Sequence, residues 1–281
     1  MKHLAKDGIN TVTIQKFNKL DPPEGERSKD DVVLVFLDVE TTGLNFETDR
    51  IIQFCIRPVL FNRKTCQVTA IAKSRVYNND PGFPLSDEIV ELTNITDSDI
   101  AGQEIDWSWV RTTLETADFI VCHNANFDRG MVENELKRAG LKATESIWAC
   151  SMNQIFWRGF CRPSKALEVL CAWTGFFYDS HQAANDVDAM IHILRKNEKI
   201  KELLENAETP DYRVFAVSSP RERNSELKAR RYRWDPNVTC WYKSFNNETL
   251  ANSEIEWLQS FDSKVEPQLF EVDPKYRYSP E

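Results

Sequence analysis

Val32-Val33-Leu34-Val35-Phe36-Leu37-Asp38-Val39-Glu40-Thr41-Thr42-Gly43 is the stretch on which the fold turns. Its first six residues are apolar without alternation, the mark of a central strand buried on both faces. Asp38 and Glu40 then interrupt the run. At i and i+2 on a strand they point to the same face, at the end of a segment that otherwise belongs in a core. A buried carboxylate without a partner is costly, so something positive is needed beside them. Taken alone, an Asp-x-Glu pair also fits a strand that has emerged into solvent.

Working outward, residues 50–60 and 67–77 read as two further strands of an antiparallel meander. Helical spacing then takes over. Ser86 caps a short helix to Thr93, and 104–115 carries Ile105, Trp109 and Leu114 near one face. A strand over 118–123 leads into a helix from Phe127 to Ala139, with Met131, Leu136 and Ala139 inward and Gly140 closing it. Residues 146–150 give a strand, and 164–173 a helix capped by Ser164. A last helix over 184–196 places Val187, Met190, Ile191 and Leu194 at core spacing. Strands first, then strands alternating with helices, predict a mixed-sheet α/β domain over 31–205. Residues 1–30 form an extension and polar linker before it.

The 281 residues are 41% hydrophobic and 28% charged, which excludes wholesale disorder. A net charge of −9 argues against coating DNA by bulk positive charge. It leaves room for an enzyme acting on nucleic acid, because a site that holds cations is itself acidic. No apolar run approaches the roughly 20 residues that span a bilayer, and no apolar signal segment opens the chain. Seven cysteines, an odd number with no Cys-x-x-Cys pair, read as reduced thiols in a cytoplasmic compartment. His3 and His192 have no constellation around them and read as structural.

Two more segments repeat the pattern of a carboxylate beside polar groups. His123-Asn124-Ala125-Asn126-Phe127-Asp128 puts a carboxylate at the first turn of a helix, and His181-Gln182-Ala183-Ala184-Asn185-Asp186 puts another on the last helix, with a histidine five residues earlier. Singly, Asp128 fits a capping residue, His181 a loop histidine and Asp186 an exposed helix residue. Together, four carboxylates match two divalent cations, and all-oxygen ligands select Mg²⁺ or Mn²⁺. Such a pair is the clamp used for in-line attack on a phosphodiester, with a neutral histidine to take the proton from water.

These motifs, LDVETTGL, HNANFD and HQAAND, resemble in order and in kind those of the DEDDh (DnaQ-like) 3′–5′ exonucleases, over about residues 31–200. The resemblance implies a ribonuclease H-like mixed five-stranded sheet flanked by helices. It implies Asp38, Glu40, Asp128 and Asp186 as metal ligands and His181 as general base. One ion would touch Asp38, Glu40 and Asp186, and the second Asp38 and Asp128. By the same carry-over Thr41 meets the terminal nucleotide, Leu44 wedges against its base, Phe127 lines the sugar or base pocket, and His123 and Asn124 reach the phosphate or sugar. The implied activity releases nucleoside 5′-monophosphates from the free 3′ end of single-stranded or frayed nucleic acid, DNA favoured, in proofreading or repair. An RNA-trimming enzyme of the same fold and a non-catalytic nucleic-acid-binding scaffold are the alternatives.

Composition changes after Pro210. Residues 211–245 hold eight Lys/Arg against four acids, and 246–281 hold three against eight, which suggests a small basic aromatic module and an acidic tail. Arg231, Arg233 and Trp234 read either as a platform where arginines meet phosphates and an aromatic meets bases or as part of a hairpin mini-core. The Lys-Ala…Trp-Asp-Pro…Trp-Tyr pattern here also resembles a small module appended to some DNA-processing proteins. Pro267-Gln268-Leu269-Phe270 is similar to a sliding-clamp-binding peptide, a four-residue match that chance also produces. A polymerase or sliding clamp is therefore an expected partner, and a membrane is not.

Overall fold

The apolar run is the middle of β1 (Asp31–Thr41), and in the computed structural model, which describes residues 5–6, 12–23, 25, 27–157, 164–261 and 264–280, it lies between two strands. On one side β2 (Ile51–Asn62) pairs with it antiparallel, and β3 (Gln67–Ile71) and β4 (Arg75–Asn78) pair in turn with β2. On the other side β5 (Phe119–Cys122) and then β6 (Ile147–Cys150) run parallel. The order is β3-β2-β1-β5-β6, with β4 also on β2.

The sheet has six strands, one more than the five expected, because the edge strand of the meander is broken. Pro58 of β2 accepts from the Ala72 amide, so its carbonyl faces the edge. A strand residue presents N–H and C=O to the same side, and proline has no N–H to give. The ladder fails there, and the Arg57 guanidinium takes the Ala72 carbonyl at 2.8 Å.

Helices cover both faces. They are α1 (Asp87–Thr93), α2 (Asp97–Ile100), α3 (Trp107–Glu115), α4 (Ala125–Arg138), α5 (Leu167–Trp173), α6 (Ala183–Lys196) and α7 (Ile200–Glu208). Alternation along β1 sorts them. Leu34 and Phe36 pack with residues of α5, α6 and α7, whereas Val35, Leu37 and Val39 pack with residues of α3 and α4. This is the ribonuclease H-like arrangement.

Three local expectations are corrected. Ala139 is exposed because α4 ends at Arg138 and Ala139 is its C-cap, and Val132 and Glu135 are buried with Met131 and Leu136. Ser164 does not cap α5; its hydroxyl accepts from the Ala166 amide, and the helix begins at Leu167. Asp106 caps α3 by accepting from the Trp109 amide, which moves that helix start inward from 104.

The chain divides into two units, Met1–Ala207 with Tyr278–Glu281, and Glu208–Arg277. Part of the N-terminal extension belongs to the first. Gln15 and Lys16 pair with β7 (Phe176–Phe177), Leu20 is buried, and Phe17 stacks on His192 with ring centroids 4.5 Å apart. Basic module and acidic tail are one unit rather than two. Its sheet holds β8 (Asp211–Phe215), β9 (Arg233–Asp235), β10 (Cys240–Phe245) and β11 (Gln268–Val272), antiparallel in the order β9-β10-β8-β11. Helices α8 (Asn224–Ala229) and α9 (Glu248–Gln259) supply Leu227, Ala251 and Leu258 to its core. The clamp-like segment enters β11, and Leu269 packs into that core.

Cys55, Cys66, Cys122, Cys150, Cys171 and Cys240 are free thiols. His3 and Cys161 lie outside the described residues. Among the described residues no helix is long and apolar enough to cross a membrane.

Leu37 is wholly buried in the central strand. Leu37→Ala should cost the first unit about 2–5 kcal/mol, read as a lower urea midpoint at constant slope. A loss below about 1 kcal/mol would mean that β1 is not packed on both faces.

Candidate active site

The sheet delivers carboxylates to one place. Asp38 and Glu40 share the β1 face that carries Leu34 and Phe36, which is the face packed by α6. Asp186 lies in the first turn of α6. Ligand oxygens of Asp38, Glu40 and Asp186 all lie within 4.8 Å of one another. Asp128 stands outside that set, buried in the first turn of α4 just past the end of β5. A register shift between Glu40 and Thr41 leaves Ile52 of β2 as an extra residue beside the cluster, and pairing resumes at Thr41 and Ile51.

Burial, and then repulsion among neighbours, shapes their acidity. Burial raises Asp38 well above the ordinary carboxylate range, and the charges of Asp128, Asp186 and Glu40 add to it. Burial followed by Asp186 and Asp128 pushes Glu40 up to about 8. Burial raises Asp128 to about 8 although its own amide and that of Val39 donate to it. Asp186 is raised by burial and held back by hydrogen bonds. The Tyr178 hydroxyl donates to Oδ1 at 2.7 Å and the Gln182 amide to Oδ2 at 3.1 Å. Carboxylates crowded this way are a donor set for a hard divalent cation.

A cavity of about 440 Å³ opens over the cluster. Of the residues read from sequence, Asp38, Glu40, Thr41, Leu44, Phe127, His181 and Asp186 line it. His181 is exposed with φ at 61°, a left-handed conformation that histidine tolerates better than most residues. A larger cavity of about 900 Å³ lies elsewhere, beside His192 and Lys196, and none of the four carboxylates lines it.

His123 and Asn124 do not line the site cavity. Both His123 ring nitrogens are engaged, Nδ1 with the Ser151 hydroxyl at 2.8 Å and Nε2 with the Lys165 carbonyl at 2.7 Å. A carbonyl only accepts, so Nε2 carries the proton. Asn124 is the exposed residue before α4, and its side chain makes no cap hydrogen bond. Arg231, Arg233 and Trp234 belong to the second unit. There Trp234 meets Trp241 edge to face at 5.5 Å.

Other residues hold the site and were not legible in the sequence. The loop after Glu40 folds around Asp49, whose carboxylate accepts from the Thr42 hydroxyl at 3.0 Å and the Asn45 amide at 2.8 Å. A Cβ on Gly43 would meet that carboxylate at 2.5 Å, so any side chain there would have to displace Asp49 from its hydrogen bonds. Arg138 donates to the carbonyls of Phe46, Glu47 and Asp49, and buried Glu135 pairs with both Arg50 and Arg138. Leu44, 81% exposed, is thereby presented at the cavity on a fixed loop. From α1 come Ile89 and Leu92 as a further apolar wall. Tyr178 and Arg138 carry no helical or strand period linking them to the motifs, so pattern reading had no signal for either.

The exonuclease family model RNase_T matches residues 35–194, a span that includes all four carboxylates and His181. The chain is 32% identical over 109 residues to the PolC-type DNA polymerase III of Lacticaseibacillus paracasei, covering 38% of this chain and only 7% of that polymerase. It is 26% identical over 164 residues to ribonuclease T of Shewanella frigidimarina, covering 53% of this chain and 73% of that protein. The zinc-ion-bound complex of E. coli exonuclease I with single-stranded DNA shares its fold, with a TM-score of 0.53 and 15% identity over 83% of this chain and 68% of that one.

Burial holds His123 at about 4 and, more than the charges of Lys196 and Arg195, holds His192 at about 4. Unfolded, each titrates near 6.5. Between those values the unfolded chain binds more protons, so stability falls as pH drops from about 6.5 towards 4, by at most about 1.4 kcal/mol per pH unit for each histidine. His192→Phe should flatten that acid limb in urea melts followed across pH. An unaltered slope would show that His192 is not held neutral.

Proposed function

Because this chain belongs to the RNase T exonuclease family, we propose that it is a metal-dependent 3′–5′ exonuclease releasing nucleoside 5′-monophosphates from single-stranded or frayed ends, DNA favoured. The observation that carries this reading is the convergence of Asp38, Glu40 and Asp186 within 4.8 Å, on a cavity that His181 also lines. An all-carboxylate donor set fits Mg²⁺ or Mn²⁺. Asp38, Glu40 and Asp186 would hold one ion, and Asp38 with Asp128 the second. Bound there, the ions lower the pKa of the attacking water and neutralise charge on the phosphate and the leaving O3′.

The chain's own residues do the rest. His181 accepts the proton from that water, which its exposed position on the cavity permits. Tyr178 and the Gln182 amide fix both oxygens of Asp186, so that carboxylate needs no reorganisation when substrate arrives. Leu44 and Phe127 offer apolar surface to the terminal base and sugar, and Thr41 a polar contact. Arg138 and Glu135 keep the Leu44 loop in place. PolC-type relatives suggest a polymerase as partner in proofreading or repair within the cytoplasm.

Oligonucleotides labelled at the 3′ or the 5′ end, of DNA and of RNA, test the reading with and without Mg²⁺. Expected are mononucleotides from the 3′ label at once, a descending ladder from the 5′ label, and neither in EDTA. Faster trimming of RNA would move the substrate to the alternative that the ribonuclease T relative suggests. Binding without cleavage would leave a scaffold. Asp38→Asn and Asp186→Asn should each lower the rate by about a hundredfold to a thousandfold, by analogy with loss of a group acting in the transition state, in proteins that still melt cooperatively. Mn²⁺ should raise the melting temperature of the unsubstituted protein and not of Asp38→Asn. Mg²⁺-dependent hydrolysis retained by either variant refutes the ligand assignment.

A further inference from the structure

The sheet of the second unit has its core on one face. Val214, Ala216, Trp241, Phe245 and Leu269 pack there with α8 and α9. Alternation puts Arg213 and Phe215 of β8, Tyr242 of β10 and Phe270 of β11 on the opposite face. None of these four belongs to the unit's apolar cluster. Phe215 stands opposite Tyr242, with ring centroids 5.7 Å apart, and its ring meets that of Phe270 at 5.5 Å. The Arg213 guanidinium lies over the Tyr242 ring at 5.2 Å and is opposite Phe270 in the ladder. Arg233, exposed on β9, is the cross-strand partner of Tyr242. Phe270 is 50% exposed.

We infer that this face is a stacking platform for the bases of single-stranded nucleic acid, a proposal that rests on the nuclease reading of the first unit. Half-exposed Phe270, with the partly buried rings of Phe215 and Tyr242 adjoining it, offers aromatic surface on which bases stack, and every base can use it. Arg233, exposed beside Tyr242, brings to the rings the charge that a phosphate backbone requires. Among the described residues the acid on this face of β8 is Asp211, which is paired with Arg277 at 2.8 Å and also feels the charge of Arg213. Asp235 on β9 is buried and accepts from the Asn237 amide of its own turn. The occupant is thus polyanionic and planar, which fits a nucleic acid better than an apolar or cationic peptide. Trp234, which the sequence offered either as a stacking residue or as part of a mini-core, lies on the other face of the sheet, half exposed with its ring edge to face with Trp241.

The test is fluorescence anisotropy of labelled dT20 with the full chain in EDTA, where hydrolysis is not expected. Phe270→Ala and Tyr242→Ala should each weaken binding about tenfold, the ordinary loss when one stacked base loses its ring, while Phe270→Trp holds the affinity. Thermal melts of each variant confirm folding, and the half-exposed Phe270 keeps the test valid should Tyr242→Ala unfold. Affinity equal to wild type in a folded Phe270→Ala protein overturns the platform, whatever the hydrolysis assay shows. Ring-dependent binding by a protein that cleaves no oligonucleotide would sustain the platform and sink the nuclease reading. Cleavage with ring-independent binding would do the reverse.

Discussion

Repulsion between carboxylates at the end of a buried strand is the constraint that the first unit is built around. Two unit charges 4.8 Å apart cost on the order of 3.5 kcal/mol at an effective dielectric of about 20. Asp38, Glu40 and Asp186 stand within that distance of one another, and Asp128 adds to the field at Asp38. A hydrogen bond to a charged group returns about 1.5–3 kcal/mol. Tyr178 and the Gln182 amide therefore offset part of the repulsion at Asp186 and leave Asp38 and Glu40 strained towards protonation. A divalent cation reverses the sign of that local field. The same crowding that weakens the fold in isolation is what would give the proposed site its affinity for a divalent cation.

Such strain is tolerated because the strand beneath it is over-determined. Leu34 through Leu37 are all buried, with alternate residues committed to different helix layers. A slip by one residue would exchange the two faces and bring Asp38 and Glu40 under α3 and α4. Register is thus fixed by the apolar residues, and the carboxylates inherit their direction from it.

This explains what could be read beforehand. The run from Val32 to Glu40 displays both its burial and its interruption locally, and the HNANFD and HQAAND segments sit next to helix starts that declare themselves by periodicity. Residues whose role depends on a long-range contact stayed hidden. Pro58 marks the break in the edge strand only once its carbonyl is known to face outward. His123 entered as a substrate contact through the family resemblance of the HNANFD segment, yet both its ring nitrogens are engaged, with Ser151 and Lys165. Arg138, ninety residues from the loop it clamps by rough count, reads as an ordinary basic residue in the last turn of a helix.

The second unit shows the limit of composition as a guide. A charge change near residue 246 suggested a boundary, but acids of that segment complete the basic one. Glu254 of α9 receives Arg230 at 2.8 Å and Lys243 at 3.3 Å, a pairing that joins the two stretches across the core side of one sheet. Arginine was therefore a poor marker of a binding face here, since much of it is consumed in folding. Strand parity is the better discriminator. Residues of β8 and β10 whose partners lie in the helix-packed cluster are structural, and the aromatic residues of opposite parity, Phe215 and Tyr242, pack on each other outside that cluster.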